Sequence, residues 1–271
     1  DFRHFGISTN TPNDTFLGNT IATFYKLGNF PFFDGMGPGG ACTDGDWNCT
    51  NATANFGGLP QLTNLTAHLE QFQADLEEQI PDQNWTGVAN IDWEYWAPDF
   101  EANAYNEYWI YINRSEALVQ QAHPDWNATQ ITQQAKLEFN TAAQKFWLSS
   151  LRLAKQLRPG GVWGWYNFPG IAQGADLDWL FDEVTALFPS IYIYDSNATL
   201  NRQRVDTVLN FSRYVRDGIV ARGGPLLPMY SFTWYHYDVP NFTSSYVTGD
   251  DLFSEFVSGS ARWGLTGTII W

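Results

Sequence analysis

The chain has 271 residues, 44% of them hydrophobic, enough to bury a large core in one α/β barrel or two small domains. A formal net charge of -15 argues against nucleic acid or an anionic membrane surface as a partner, since both recruit clustered Lys and Arg. No apolar run approaches membrane-spanning length and no charged-then-apolar leader opens the chain, so the sequence reads as a soluble, processed form.

The β-branched and aromatic run Thr20-Ile21-Ala22-Thr23-Phe24-Tyr25 predicts a buried strand over 20–25 with Tyr25 at its end. A glycine-rich loop follows; Gly35 to Gly40 opens no helix and is interrupted by Pro38, so it reads as loop and not as a phosphate cradle. Gly57-Gly58-Leu59-Pro60 then turns the chain into a helix whose apolar stripe is Leu62, Leu65, Leu69, Phe72, Leu76 and Ile80, stopped by Pro81. A strand over 87–92 is followed by helices over 103–121 and 129–157. Further along come a strand over 162–166, a short helix over 176–187, a strand over 190–194 and a helix over 199–221. A strand over 226–232, a helix over 249–262 and a last strand over 267–271 close the chain. Strands that are nearly all apolar and alternate with helices call for a parallel sheet covered by helices, in one domain over 1–271, with functional residues at the strands' C-terminal ends.

The stretch Asn90-Ile91-Asp92-Trp93-Glu94-Tyr95-Trp96 ends one of these strands with two carboxylates two residues apart, hence on one side of the pleat. Like charges that close do not both ionise cheaply, so one keeps its proton toward neutral pH and can act as an acid. Glu94, boxed in by Trp93, Tyr95 and Trp96, is expected to be that acid. Tyr25, Tyr166, Tyr192 and Trp271 also fall at strand ends, and thirteen tryptophans supply flat faces of the kind that stack on sugar rings. The histidines, His4, His68, His123 and His236, are scattered without ligand spacing, so neither a metal nor an organic cofactor is expected.

N-x-S/T triplets begin at Asn13, Asn48, Asn51, Asn64, Asn84, Asn113, Asn127, Asn197, Asn210 and Asn241, several-fold above chance. Cys42 and Cys49 share one loop with no further zinc ligand nearby, so a short-loop disulfide is expected. Both features predict a secreted or lumenal glycoprotein with N-linked glycans at several of these asparagines.

Taken together the residues resemble the hyaluronidase family of glycoside hydrolases, the animal and venom enzymes. The matching text runs through Phe5-Gly6-Ile7, Phe24-Tyr25, Gly57 to Gln61, Ile91-Asp92-Trp93-Glu94 with Trp96 and Pro98, Ala117-Leu118-Val119, His123 to Trp126, Trp163 to Tyr166 with Phe168-Pro169, Pro189 to Tyr192, and Ile269-Ile270-Trp271. The resemblance implies a distorted TIM-like (β/α)7 barrel and substrate-assisted retaining hydrolysis of hyaluronan or chondroitin, in which the acetamido oxygen of the substrate is the nucleophile. It implies Glu94 as acid and base, Asp92 as its proton-sharing partner that positions the acetamido group, and Tyr166 and Tyr192 as orienting tyrosines. Tyr25, Trp96, Trp165 and Trp271 are expected to line the sugar subsites. The family pattern also has a strand before Phe5, a tail after Trp271 and a cysteine just after Pro169, none of which is in this text. Ala97 stands where relatives commonly carry arginine, and no Lys or Arg occurs between Lys26 and Arg114, which keeps open a neutral, chitin-type polymer or a non-catalytic sugar-binding protein.

Overall fold

Two compact units make up the chain, Asp1–Gly161 with Gly174–Leu180, and Val162–Gln173 with Phe181–Trp271. The computed structural model describes residues 4, 9–10, 16–34, 52–105, 108–170, 176–194, 196–237 and 246–271. The expected Cys42–Cys49 bridge, the 35–40 loop, Phe5-Gly6-Ile7 and the sequons at Asn13, Asn48, Asn51 and Asn241 lie outside the described residues.

In the first unit β1 (Ile21–Phe24) runs parallel to β4 (Val88–Ile91), in a register that pairs Ile21 with Val88 and Phe24 with Ile91. Both strands are buried at three of their four positions, as expected for parallel strands covered on both faces. A side pair that the alternation did not reveal, β2 (Phe32–Asp34) and β3 (Thr53–Asn55), is antiparallel. Helix α1 (Leu65–Gln79) buries His68, Phe72 and Leu76, whereas Leu62 falls in a separate 3-10 turn and is exposed.

The expected helix over 103–121 begins later, as α2 (Trp109–Ala122), because Glu101–Asn103 closes its own 3-10 turn. Helix α3 (Ala128–Leu157) turns Ile131, Ala135, Phe139, Ala143, Phe146, Leu151 and Ala154 inward, at three- to five-residue spacing that keeps them on one face. Trp96 packs edge-on against Phe139 and Trp147, and Phe30, His68 and Phe146 form a ring cluster beside it. His68 Nε2 lies 2.8 Å from Ser150 Oγ between α1 and α3, and burial lowers its pKa to about 4, so the ring is neutral.

The second unit holds β5 (Val162–Trp165), β6 (Tyr230–Thr233) and β7 (Gly267–Ile270), with β6 and β7 parallel. The strand expected over 190–194 is displaced and incomplete. Leu187 and Ser190 make isolated parallel bridges to Met229 and Phe232, and Pro189 between them has no N–H to continue a ladder. The helix expected over 176–187 shrinks to α4 (Asp178–Phe181), because Thr185 and Ala186 donate their backbone N–H groups to the Trp163 carbonyl instead of to a helix. Helix α5 (Ala198–Ala221) buries Val205 and Leu209 against Ile191, Ile193, Tyr237 and Phe256. The expected helix over 249–262 is realised in three pieces, α6 (Gly249–Asp251), a π segment (Leu252–Val257) and α7 (Ser258–Arg262).

The loop that leaves β4 is held by one side chain. Asn103, fully buried, accepts the Ala97 N–H at 2.9 Å and donates to the carbonyls of Ala97 at 3.1 Å and Asp99 at 2.8 Å. Replacing it with alanine leaves one donor and two acceptors without that partner. Asn103→Ala is therefore expected to lose about 2–4 kcal/mol in urea unfolding. Asn103→Asp should lose a comparable amount, since a carboxylate accepts but does not donate.

Candidate active site

The register of β1 with β4 sets Tyr25 and Asp92 level at the C-terminal end of the pair, and the Asp92 N–H donates to the Phe24 carbonyl at 2.9 Å. Regular strand geometry ends at Ile91, so the two carboxylates lie just past the strand and not within it. Their spacing still separates them from the core. Trp93 between them is 7% exposed and packs on Phe30 at a ring distance of 4.2 Å, while Asp92 is half-buried and Glu94 is exposed. The Glu94 carbonyl accepts the Tyr108 hydroxyl at 2.7 Å, which ties the segment to the start of α2. Two residues before Asp92, Asn90 is 1% exposed, and neither atom of its amide has a hydrogen-bond partner among the described residues.

Both acids are held above their ordinary ranges. Burial, and after it the charge of Glu94, pushes Asp92 up from 3.8 to about 8; burial raises Glu94 as well. The expectation that Glu94 would be the more strongly shifted of the two is thus reversed. Glu94 keeps more than a third of its surface in water, whereas Asp92 sits deeper and loses more hydration. A carboxyl of this kind keeps its proton into the neutral range and can deliver it to a substrate oxygen.

The aromatic residues divide into two groups. Tyr25 is 42% exposed, with Phe16 edge-on at 5.6 Å, and can meet a ligand. Trp96 and Trp165 cannot stack on a sugar: they are 2% and 1% exposed, and the Trp96 indole N–H is spent on the Pro31 carbonyl at 2.7 Å. Both belong to the packed core, whose apolar demand claims these large rings before any ligand does. In the second unit Tyr166, nearly buried, stands edge-on to Phe232 at 5.2 Å.

Tyr192, Trp234 and Trp271 form a run of rings with centroid spacings of 4.9 and 6.0 Å, and Trp271 at its end is 39% exposed. Trp234 received no role from the sequence, nor did Arg204, whose guanidinium lies 5.1 Å over the ring of exposed Tyr194. The signal for Arg204 was its place in the second turn of the helix that follows Tyr192 and Tyr194.

Among the described residues no group of His, Cys, Asp and Glu has metal-site geometry, and no helix is long and apolar enough to cross a membrane.

The raised carboxyl has a thermodynamic consequence. Asp92 keeps its proton to about 8 when folded but releases it near 3.8 when unfolded, so the stability it contributes is complete below 3.8 and is lost as pH rises toward 8. Asp92→Asn removes that dependence. Its urea midpoint is expected to vary less with pH between about 4 and 8 than that of the unmodified chain, and to exceed it at the upper end.

The hyaluronidase family model (glycoside hydrolase 56) matches residues 1–172. The chain is 33% identical to Hyaluronidase-2 of Mus musculus, over 100% of this chain and 58% of that protein. It is 32% identical to a chondroitin hydrolase of Caenorhabditis elegans, over 94% of this chain and 55% of that one. The chain therefore spans somewhat over half the length of these curated relatives. Bee venom hyaluronidase, solved in complex with a hyaluronic acid tetramer, superposes with a TM-score of 0.84 at 28% identity, covering 100% of this chain and 83% of the venom protein. The chain belongs to the hyaluronidase family of glycoside hydrolases.

Proposed function

We propose that this chain is the catalytic part of a secreted or lumenal endo-β-N-acetylhexosaminidase that hydrolyses hyaluronan or chondroitin, on a single distorted (β/α)7 barrel. The observation that carries the reading is the pair of proton-retaining carboxyls, Asp92 and Glu94, at the end of β4. A sugar-binding protein would have no use for a carboxylic acid kept protonated at a cost in stability. The membership of the family supports the chemistry, and the parallel pairs β1–β4 and β6–β7 agree with the barrel.

In this mechanism Glu94, the more accessible acid, gives its proton to the glycosidic oxygen while the acetamido oxygen of the same sugar attacks the anomeric carbon. The C–O bond to the leaving sugar breaks and a cyclic oxazolinium ion forms, its N–H retained. Glu94, now a carboxylate, takes a proton from water, and that water opens the ring at the anomeric carbon, so two inversions give net retention. Asp92, protonated in the free protein, accepts the acetamido N–H through its carboxyl C=O oxygen and so orients the nucleophile. Tyr166 and Tyr192 are assigned to orienting the acetamido group and the sugar, and Tyr25 and Trp271, both exposed, to contacts along the polymer.

Substrate charge is the open variable. A polymer with a carboxylate on alternate sugars is repelled by a chain of net charge -15 unless cations offset it locally, and the span from Lys26 to Arg114 supplies none. This favours a neutral N-acetylhexosamine polymer as the second reading. Arg204, exposed over Tyr194 in the second unit, is the observation on the side of an anionic one.

The test is release of reducing ends from hyaluronan, chondroitin and chitin oligomers in parallel, with Glu94→Gln as the control. Cleavage of hyaluronan or chondroitin, lowered by about 10²–10⁴-fold in Glu94→Gln with binding retained, is the expected result. Cleavage of chitin oligomers alone would shift the assignment to the neutral polymer. Binding without any cleavage by the unmodified protein would remove the enzyme reading.

A further inference from the structure

Six sequons lie among the described residues, and the structure sorts them by how they meet secondary structure. Asn64, Asn127 and Asn197 are exposed, and each is the N-cap of a long helix: α1, α3 and α5 respectively. Asn64 Oδ1 accepts the Ala67 N–H at 3.1 Å. Asn127 Oδ1 accepts the Gln130 N–H at 3.0 Å while the Asn127 N–H donates to Gln130 Oε1 at 3.1 Å, which closes a capping box. Asn197 Oδ1 accepts from Thr199 at 3.1 Å and Leu200 at 3.2 Å. In all three the sequon reads N-cap, first and second helical residue, and its threonine, Thr66, Thr129 or Thr199, is exposed.

Asn113, half-buried, and Asn210, exposed, differ in their place in the helix and in their sequon hydroxyl. They sit inside α2 and α5, and their sequon residues are serines with no exposed surface. The Ser115 hydroxyl donates to the Tyr111 carbonyl at 2.7 Å and accepts from Gln61 Nε2 at 2.9 Å; Ser212 donates to the Val208 carbonyl at 2.8 Å. Asn113 itself is half-buried in a groove lined by Glu116, Gln120, Ile131 and Thr132.

We propose that Asn64, Asn127 and Asn197 carry N-linked glycans and use one amide for two purposes, Oδ1 closing the helix and Nδ2 bearing the sugar, while Asn113 and Asn210 stay bare. The proposal rests on the secretory reading above. The co-reactant is an oligosaccharide joined to a polyisoprenyl diphosphate. Nδ2 forms a bond to C1 of the first sugar, the bond from C1 to the diphosphate oxygen breaks, the lipid diphosphate leaves, and one amide proton is lost to base. The product is still an amide whose carbonyl oxygen accepts hydrogen bonds, so the cap survives glycosylation. The exposed threonine leaves the sequon hydroxyl accessible, whereas a mid-helix serine that has folded inward has its hydroxyl committed to the backbone.

Asn84, exposed in a turn and not capping a helix, serves as the internal reference. The protein is produced in a secreting eukaryotic cell, digested, and deglycosylated enzymatically in ¹⁸O-water, so that each formerly glycosylated asparagine becomes a labelled aspartate in the mass spectrum. Label at Asn64, Asn127 and Asn197 together with Asn84, and none at Asn113 or Asn210, is the expected result. Label at Asn84 with the three cap positions bare, or label at Asn113 or Asn210, overturns the proposal alone. No label at any sequon overturns the secretory reading and the proposal with it.

The double use is tested with two variants that both lose the sugar: Asn64→Gln removes the cap as well, and Thr66→Ala leaves it. Asn64→Gln should melt about 2–4 °C below Thr66→Ala. Equal melting temperatures overturn the dual role.

Discussion

Two carboxyl groups two residues apart at the end of a buried strand, in a stretch of chain without a single lysine or arginine, are not both ionised at low cost. The rest of the first unit is arranged around that constraint. Parallel pairing with β1 brings Asp92 to the end of the ladder, and Trp93, pinned against Phe30, keeps the intervening residue in the core. The Asn103 side chain fixes the backbone at Ala97 and Asp99, and Tyr108 holds the Glu94 carbonyl. Holding the acids there costs stability as pH rises, since the unfolded chain would release the protons. Buried groups with raised pKa and no compensating cation are tolerated mainly where chemistry needs them.

The order of the acids bears on mechanism. Asp92, deeper and more strongly shifted, keeps its proton to about 8, and burial raises Glu94 as well, so this end of β4 retains protons beyond the ordinary carboxylate range. The exposed member, Glu94, is the one with access to a ligand, and the deeper member, Asp92, is the one held more strongly in its neutral form. A substrate that supplies its own nucleophile then asks the protein for little more than this proton and for orientation.

Much of this was legible in the sequence because it is local. The strands over 20–25 and 87–92 stand out as runs of apolar and β-branched residues, and α3 and α5 as stripes at helical spacing; each lies within a few residues of its expected bounds. What was not legible depends on partners distant along the chain. Nothing near residue 185 announces that Trp163 will draw Thr185 and Ala186 out of a helix, and Pro189, whose carbonyl still accepts the Phe232 N–H, interrupts a ladder only because the segment from Met229 to Phe232 lies alongside.

The same division holds for the site. The Asp-x-Glu pattern and the tyrosines at strand ends could be read directly, but which tryptophans face a ligand could not. Trp96 and Trp165 have the composition of a sugar platform and the burial of a core, a distinction that only packing makes. Likewise Arg204 acquires its setting over Tyr194 from the fold of the loop before α5.

The central claim is that burial of Asp92, and after it the charge of Glu94, holds a proton on the Asp92 carboxyl. Carboxyl ¹³C NMR of aspartate-labelled protein, titrated in the unmodified chain and in Glu94→Gln, tests it most directly. Asp92 should titrate far above the ordinary carboxylate range, at about 8, and fall in Glu94→Gln without returning to 3.8, because burial persists when the neighbouring charge is gone. An Asp92 that titrates near 3.8 in both proteins would contradict the account.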